Sequence, residues 1–299
     1  MPPLLSIVIA NFNYGRFLET AIRSVLSQSC QDFELIICDG GSTDNSVEII
    51  KKYANGLSPN TTADSHRSQT NKISWWCSEP DKGQSDAFNK GFAHARGHFL
   101  TWLNADDVLL KGTIERLRIA VDQNPNCRWF ACGCVHTDPD LNVIRCTKAR
   151  PFSEYEVNHG MITVYSPSSF FSRDLLEQVG EINVAYRGIM DTDLWFRFYF
   201  GAHEKYRVIP GYAFGFRLHP ESHTQGNKFA DSALSDPQNP KHERARKENE
   251  MMFASLPKFL PMSRIGRFIR LRWTSVFVSR YDTLRKRGKK LNAAGLLDL

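Results

Sequence analysis

The chain has 299 residues, 41% of them hydrophobic and 12% aromatic, which is the composition of a globular protein with a sizeable core and excludes a disordered chain. Its net charge of +6 is gathered largely after Pro240, so the basic excess is a property of one segment and not of the whole surface. Seven cysteines at irregular spacing exclude a disulfide framework and point to a reducing compartment.

The first stretch, LLSIVIANF, is short, apolar and β-branched, and reads as a strand buried on both faces. In GRFLETAIRSVLSQS the apolar residues Phe17, Leu18, Ala21, Ile22, Val25 and Leu26 recur at helical spacing. FELIICDGGSTD is a second buried strand running into a turn, and DNSVEIIKKYA a second helix capped by Asp44 or Asn45. A polar Ser/Thr/Asn-rich loop follows. ISWWCSEP, GQSDAFNKGFAHA and HFLTWLNADD then read as strand, helix and strand. Strands alternating with helices imply an α/β fold with a doubly wound, mostly parallel sheet. Beyond it, TIERLRIAVDQNP is a helix, and RWFACGCVHTDPDLNVIRC a strand, a turn at Asp138-Pro139-Asp140 and a return strand. SPSSFFSRDLLEQVGEIN contains a helix entered after Ser172 and stopped at Gly180. MDTDLWFRFYFGA is a helix with two acids at its start.

The N-terminus is apolar for too few residues to be a secretory signal, and no run is long and apolar enough to span a bilayer. The expected location is therefore cytoplasmic. Cys132, Cys134 and His136 are candidates for a metal cluster on one strand, weighed against buried structural thiols.

Open parallel sheets bind ligands at the carboxyl ends of their strands. Here those ends are Asn11–Tyr14, Asp39–Asp44, Glu79–Asp86 and Asn104–Asp107. Adjacent carboxylates at a strand end repel each other, and a divalent cation with oxygen ligands offsets that repulsion. The competing reading of Asp106 and Asp107 is a solvated turn with Asp106 capping the next helix.

In order and spacing, SIVIANFNYGRFLETAIRSVLSQSCQDFELIICDGGSTDNSVEII followed by SEPDKGQSDAFNKGFAHARGHFLTWLNADDVL resembles the family-2 glycosyltransferases. The resemblance covers about the first 225 residues and is strongest to the bacterial subgroup that builds surface polysaccharides and O-antigens. It implies a GT-A fold, an inverting mechanism, a nucleotide-sugar donor (typically UDP-linked) and Mg²⁺ or Mn²⁺. It also assigns residues. Ala10, Asn11 and Asn13 would wrap the nucleotide, and Asp39 would accept a hydrogen bond from the base. Asp86 would line the nucleotide or sugar pocket, with Lys82 and Lys90 as weaker phosphate candidates. LNADD matches the family's Asp-x-Asp metal motif with Asn104 in place of the first acid. Asp106 is then the metal ligand, Ala105 and Asn104 line the donor, and Asp107 assists or orients the loop.

In YRGIMDTDLWFRF, Met190 stands where the family often has Glu, Asp191 matches the catalytic base, and Asp193 takes a supporting role. In FRLHPESHTQ, His219 is the candidate to approach the metal, with His223 and Arg217 behind it. Ser168 and Ser169 are candidate substrate contacts and Phe170 and Phe171 packing residues.

The resemblance divides the chain into a catalytic domain, 1–239, and a basic helical segment, 240–299. Residues 1–110 would form the nucleotide-sugar half and 111–239 the acceptor half. In the tail, Ile265, Phe268, Ile269, Arg272 and Trp273 show helical spacing with mixed faces. A basic amphipathic helix lies on an anionic membrane, beside a lipid-linked acceptor, or packs on the catalytic domain. No nucleic-acid-binding motif accompanies its charges. The expected acceptor is a hydroxyl of a polysaccharide or polyprenyl-linked oligosaccharide. Two other classes stay in view. A nucleotidyltransferase shares the sheet and the acid-bound metal, but the chain lacks a Gly-rich basic loop after its first strand. Asn104 and Met190 leave open a catalytically weak membrane-associated scaffold with the same fold.

Overall fold

The computed structural model describes residues 2–54, 59–60, 72–158, 160–162, 164–221 and 240–255. Its first half alternates as expected: β1 (Leu5–Asn11), α1 (Gly15–Leu26), β2 (Phe33–Asp39), α2 (Ser46–Tyr53), β3 (Ile73–Ser78), α3 (Gln84–Ala93) and β4 (Phe99–Asn104). Residues Leu5, Ile7 and Ile9 of β1 and Leu35 and Ile37 of β2 pack against α1 and α2 in one core. Val8 and Ile36 point the other way, into a second core with Phe88 and Phe92 of α3. This period-two split buries the parallel strands on both faces, which is why they read as unbroken apolar runs. At Gly91 of α3, a Cβ would stand 2.3 Å from Val8 Cγ1, so the glycine lets the helix lie close on the sheet.

The second half is mixed. It contains β5 (Val108–Leu109), α4 (Thr113–Gln123), β6 (Trp129–Thr137), β7 (Val143–Thr147), α5 (Glu154–Asn158), a 3-10 turn at Ser166–Ser168, β8 (Ser169–Ser172), α6 (Arg173–Val179), α7 (Met190–Phe200), β9 (Arg207–Arg217) and α8 (Pro240–Ser255). The sheet order among the described residues is β3-β2-β1-β4-β8-β6-β9-β5, with β7 paired to β6. The ladders β1–β2, β1–β4, β2–β3 and β6–β9 are parallel, and β4–β8, β5–β9, β6–β7 and β6–β8 antiparallel. Strands β5, β8 and β9 were not expected from the sequence.

An aromatic stack seats α7 on the sheet. Trp195 lies 5.5 Å from Trp102 of β4 with nearly parallel rings, and 5.4 Å from Trp129 of β6. Phe171 of β8 meets Trp195 edge-on at 5.8 Å. Offset-stacked and edge-on pairs add to simple area burial, so α7 has a rigid seat. Phe170 and Phe171 are packing residues, as expected.

A buried polar knot ties the entry to β4 onto β1 and β2. The Glu34 carboxylate accepts Ser6 Oγ at 2.7 Å, Arg96 N at 2.6 Å and the Arg96 guanidinium at 2.9 and 3.0 Å. Because Arg96 is partly exposed, the ion pair contributes little, and the two donors left unpartnered dominate the cost of losing Glu34. Glu34→Ala is expected to lower stability by about 2 kcal/mol, read as a shift of the urea midpoint at unchanged slope.

No helix among the described residues is long and apolar enough to cross a membrane. The tail residues Ile265 to Trp273, the domain boundary at 239 and most of the polar loop after α2 lie outside the described residues.

Candidate active site

Ladder register aligns the strand ends. Asn11 pairs with Asp39, Asp39 with Ser78, and Ala10 with Asn104. The sheet therefore delivers Asn11, Asp39, Ser78 and Asn104 to one rim, where open parallel sheets take their ligands.

Asp39 is 1% exposed and its carboxylate is fully engaged. Oδ1 accepts Asn11 Nδ2 and Ser42 Oγ, each at 2.6 Å, while Oδ2 accepts Ser42 N at 2.9 Å and Ser78 Oγ at 2.7 Å. Four donors fill the four lone-pair directions of a carboxylate. For Asp39 to accept a base N–H, one of them must move aside. Asp39 folds the loop that follows β2 onto β1 and β3. Asn13 extends this loop pairing from a left-handed conformation, φ 57°, accepting Thr43 N at 2.8 Å through Oδ1 and donating its own N–H to Ser42 Oγ at 2.8 Å. Ala10 sits within the β1–β2 and β1–β4 ladders at the rim, and Ala105 is buried. Asp86 accepts Lys82 N at 3.0 Å and lies 3.8 Å from Lys90, which pairs with Glu79 at 3.1 Å. These contacts gather at the start of α3.

The acid pair splits into two environments. Asp107 is fully buried, its Oδ1 accepting Arg217 N and its Oδ2 accepting Asn104 Nδ2, both at 2.9 Å. Burial and the neighbouring Asp106 push its carboxyl well above the usual carboxylate range. Asp107 thus orients the loop. Asp106 instead turns to the rim, where its Oδ2 lies 3.0 Å from His219 Nε2. His219 is 1% exposed, wedged beside Phe17 at 4.8 Å and Tyr14 at 5.8 Å between ring centroids. Burial and Asp106 push the Tyr14 hydroxyl up to about 12. Arg217, 4% exposed, stacks over Phe17 at 4.5 Å with Nε and Nη2 unpartnered, and burial lowers its pKa. His223 lies outside the described residues.

Asp106 and His219 offer one oxygen and one nitrogen donor from the turn after β4 and the loop after β9, converging on one point of the rim. That set fits a divalent cation of the Mg²⁺ or Mn²⁺ type, which takes few protein ligands and fills its sphere with substrate phosphates and water. Among the described residues no group of three or more His, Cys, Asp and Glu side chains converges, so such an ion would depend on the substrate for its remaining ligands. Cys134 and His136 touch at 3.4 Å, with Arg145 3.4 Å from the other ring nitrogen, and this gives no metal cluster with Cys132.

Asp191, the second residue of α7, is held at both oxygens. Oδ2 accepts Ser166 Oγ at 2.5 Å and Oδ1 accepts Thr192 N at 2.7 Å. Asp193 is buried and pairs with Arg197 at 2.9 Å, while that guanidinium also caps the carbonyls of Val179, Gly180 and Glu181. Met190 accepts Ser85 Oγ at its sulfur at 3.0 Å. The expectation that Ser168 and Ser169 contact substrate is corrected: both are fully buried, Ser168 donating to Tyr165 O and Ser169 accepting Trp129 Nε1. Ser166, two residues earlier, is the one that reaches the site. Gln84 was also missed; its Nε2 donates to Asn104 Oδ1 at 2.7 Å and joins α3 to the metal-motif turn. Neither contact has a local sequence signal, since each joins residues at least 20 apart.

A parallel sheet with acids at its strand ends, continued by a mixed half whose helix α7 opens with two acids, is the GT-A arrangement. The chain belongs to glycosyl transferase family 2, whose model matches residues 6–180. Over 113 residues it is 37% identical to an uncharacterized glycosyltransferase of Nostoc sp. (strain PCC 7120), covering 38% of this chain and 31% of that relative. Over 194 residues it is 28% identical to the PGL/p-HBAD biosynthesis glycosyltransferase of Mycobacterium tuberculosis H37Rv, covering 64% of this chain and 68% of that one. Among solved structures, a mannosyltransferase from Pyrobaculum calidifontis in complex with GDP-Man and Mn²⁺ matches with TM-score 0.55 at 14% identity, over 95% of this chain and 83% of that chain. S. aureus TarS 1–349 in complex with UDP matches with TM-score 0.50 at 16% identity, over 74% of this chain and 62% of that chain.

Proposed function

We propose that the chain is an inverting glycosyltransferase that moves a sugar from a UDP-linked donor to a hydroxyl of a polysaccharide or lipid-linked oligosaccharide by a single displacement. The observation that carries this reading is the 3.0 Å meeting of Asp106 and His219 at the sheet rim, with a second carboxylate, Asp191, fixed at the start of α7. The first pair would hold a divalent cation, which when bound supplies positive charge against the departing diphosphate. Asp191 receives the proton of the acceptor hydroxyl as it attacks the anomeric carbon. An in-line displacement needs such an acceptor of protons on the face opposite the leaving group. Oδ1 takes both Thr192 N and Thr192 Oγ1, while Oδ2, bonded by Ser166 alone, keeps a further lone pair for that proton. The unpartnered Arg217 nitrogens add charge-assisted donors toward a phosphate at the rim.

The fold's likeness to the TarS structure with UDP supports the UDP reading, and the likeness to the mannosyltransferase with GDP-Man and Mn²⁺ makes GDP-sugars the comparison to run. Thermal unfolding with UDP-, GDP- and dTDP-sugars in Mn²⁺ is the test. A UDP-sugar at about 100 times its Kd stabilises by about 2.7 kcal/mol, and chelation with EDTA removes the shift. Product analysis by NMR then shows an inverted anomeric centre. A retained configuration overturns the mechanism, and pyrophosphate released from an NTP overturns the reaction class in favour of nucleotidyl transfer.

A further inference from the structure

The loop ahead of α7 is gripped from two sides. From α3, Ser85 Oγ donates to Tyr186 O at 2.9 Å and to Met190 Sδ at 3.0 Å. From α8, more than fifty residues further along the chain, the Glu248 carboxylate accepts two consecutive backbone N–H groups: Arg187 N at 3.1 Å through Oε1 and Gly188 N at 2.9 Å through Oε2. Glu248 is 5% exposed, and Met252 is fully buried in the core that holds Tyr186, Ile189 and Met190. Positions 248 and 252 lie one turn apart on one helical stripe, so α8 docks on this loop along that face. At Gly188 a Cβ would lie 3.4 Å from Glu248 Oε2, in ordinary van der Waals contact with the carboxylate. Helix α7 has no side-chain cap at its own N-terminus, and the negative charge of Glu248 lies just before it.

We propose that Glu248 is a positioning residue for sugar transfer: from the C-terminal helix it clasps the 186–189 loop and so fixes the Asp191 carboxylate at the start of α7. This rests on the reading of Asp191 as the base. A buried carboxylate bound to two adjacent amides sets both the path of the loop and the angle at which α7 leaves it. A reacting group displaced by about 1 Å loses roughly a hundredfold in rate, whereas the donor rim formed by β1, β2 and β4 does not depend on this clasp. The helical segment 240–255 is then part of the catalytic unit.

The test compares Glu248→Ala and Glu248→Gln in the full chain, reading kcat, donor KM and donor-induced thermal stabilisation. Glu248→Ala is expected to lower kcat by roughly ten- to a hundredfold with donor KM and donor stabilisation unchanged. Glu248→Gln keeps one accepting oxygen and recovers part of the loss, and it carries the test if the alanine variant does not fold. In an Asp191→Asn background, Glu248→Ala brings no further loss, because the group it positions has gone. Wild-type kcat in Glu248→Ala, or kcat and donor KM falling off together with stability, overturns the proposal. Turnover that survives Asp191→Asn sinks the base assignment and this proposal with it. Wild-type turnover in Glu248→Ala, alongside an Asp191→Asn variant that is silent, overturns the clasp alone.

Discussion

Asp191→Asn is expected to lower kcat for sugar transfer by about 10²- to 10⁴-fold, the range that general-base catalysis contributes, while donor affinity stays at the wild-type level. The amide preserves volume and one accepting oxygen, so Ser166 Oγ keeps its partner and α7 keeps its seat against Trp102 and Trp129. What disappears is the capacity to take a proton. Single-turnover kinetics with saturating donor isolates that step from binding. Ser166→Ala tests the same assignment from the partner's side. Without its hydroxyl the carboxylate keeps only the Thr192 contacts, so the loss is smaller and appears in kcat. Wild-type turnover in Asp191→Asn would falsify the base assignment, and the search for a base would move elsewhere on the acceptor side.

Much of the first half was legible because its signals are local. Apolar runs of β-branched residues, helical spacing in α1 and acids at the strand ends all fall within a window of one element. The second half is built from pieces that hide. Strand β5 has two residues, and β8 is the four-residue SFFS, too short for alternation to declare itself. Strand β9 carries Pro210 and Gly211 inside an apparent run, which argues against a strand in any sequence reading. It survives because its ladder with β6 shifts register around Gly133 and absorbs them.

The site divides along the same line. Asp106 and Asp191 could be picked out by motif, and their chemistry by type. Among the partners that give them direction, His219, 113 residues from Asp106, could be picked out by motif as well, but Ser166, which reaches Asp191 across 25 residues, and Glu248, which reaches Gly188 across 60, could not. Asp39 shows the reverse case. Its place at the end of β2 was readable, but the four donors that saturate it come from β1, β3 and the following loop, and only the fold collects them.

Removing either member of the Asp106–His219 pair separates two meanings of a 3.0 Å contact. If His219 merely pairs with Asp106 as a cation, it competes with a metal, and His219→Ala leaves Mn²⁺ activation unchanged or shifts it to lower concentration. If both are ligands of one ion, Asp106→Ala and His219→Ala each raise the Mn²⁺ concentration for half-maximal activity, by about tenfold or more, the scale on which even indirect partners of a metal act. The double variant is then no worse than the poorer single one, since one shared ion can be lost only once. His219 is enclosed by Tyr14 and Phe17, so His219→Ala also leaves a cavity and lowers the unfolding midpoint. His219→Gln fills that space and restores an oxygen donor. It is expected to regain stability in full and metal activation in part, which cavity formation alone does not account for. Manganese titration of all four proteins, read by donor-induced thermal stabilisation as well as by transfer, measures the ion without relying on turnover. Unchanged manganese dependence in Asp106→Ala would move the cation to another part of the rim and leave the diphosphate to Arg217.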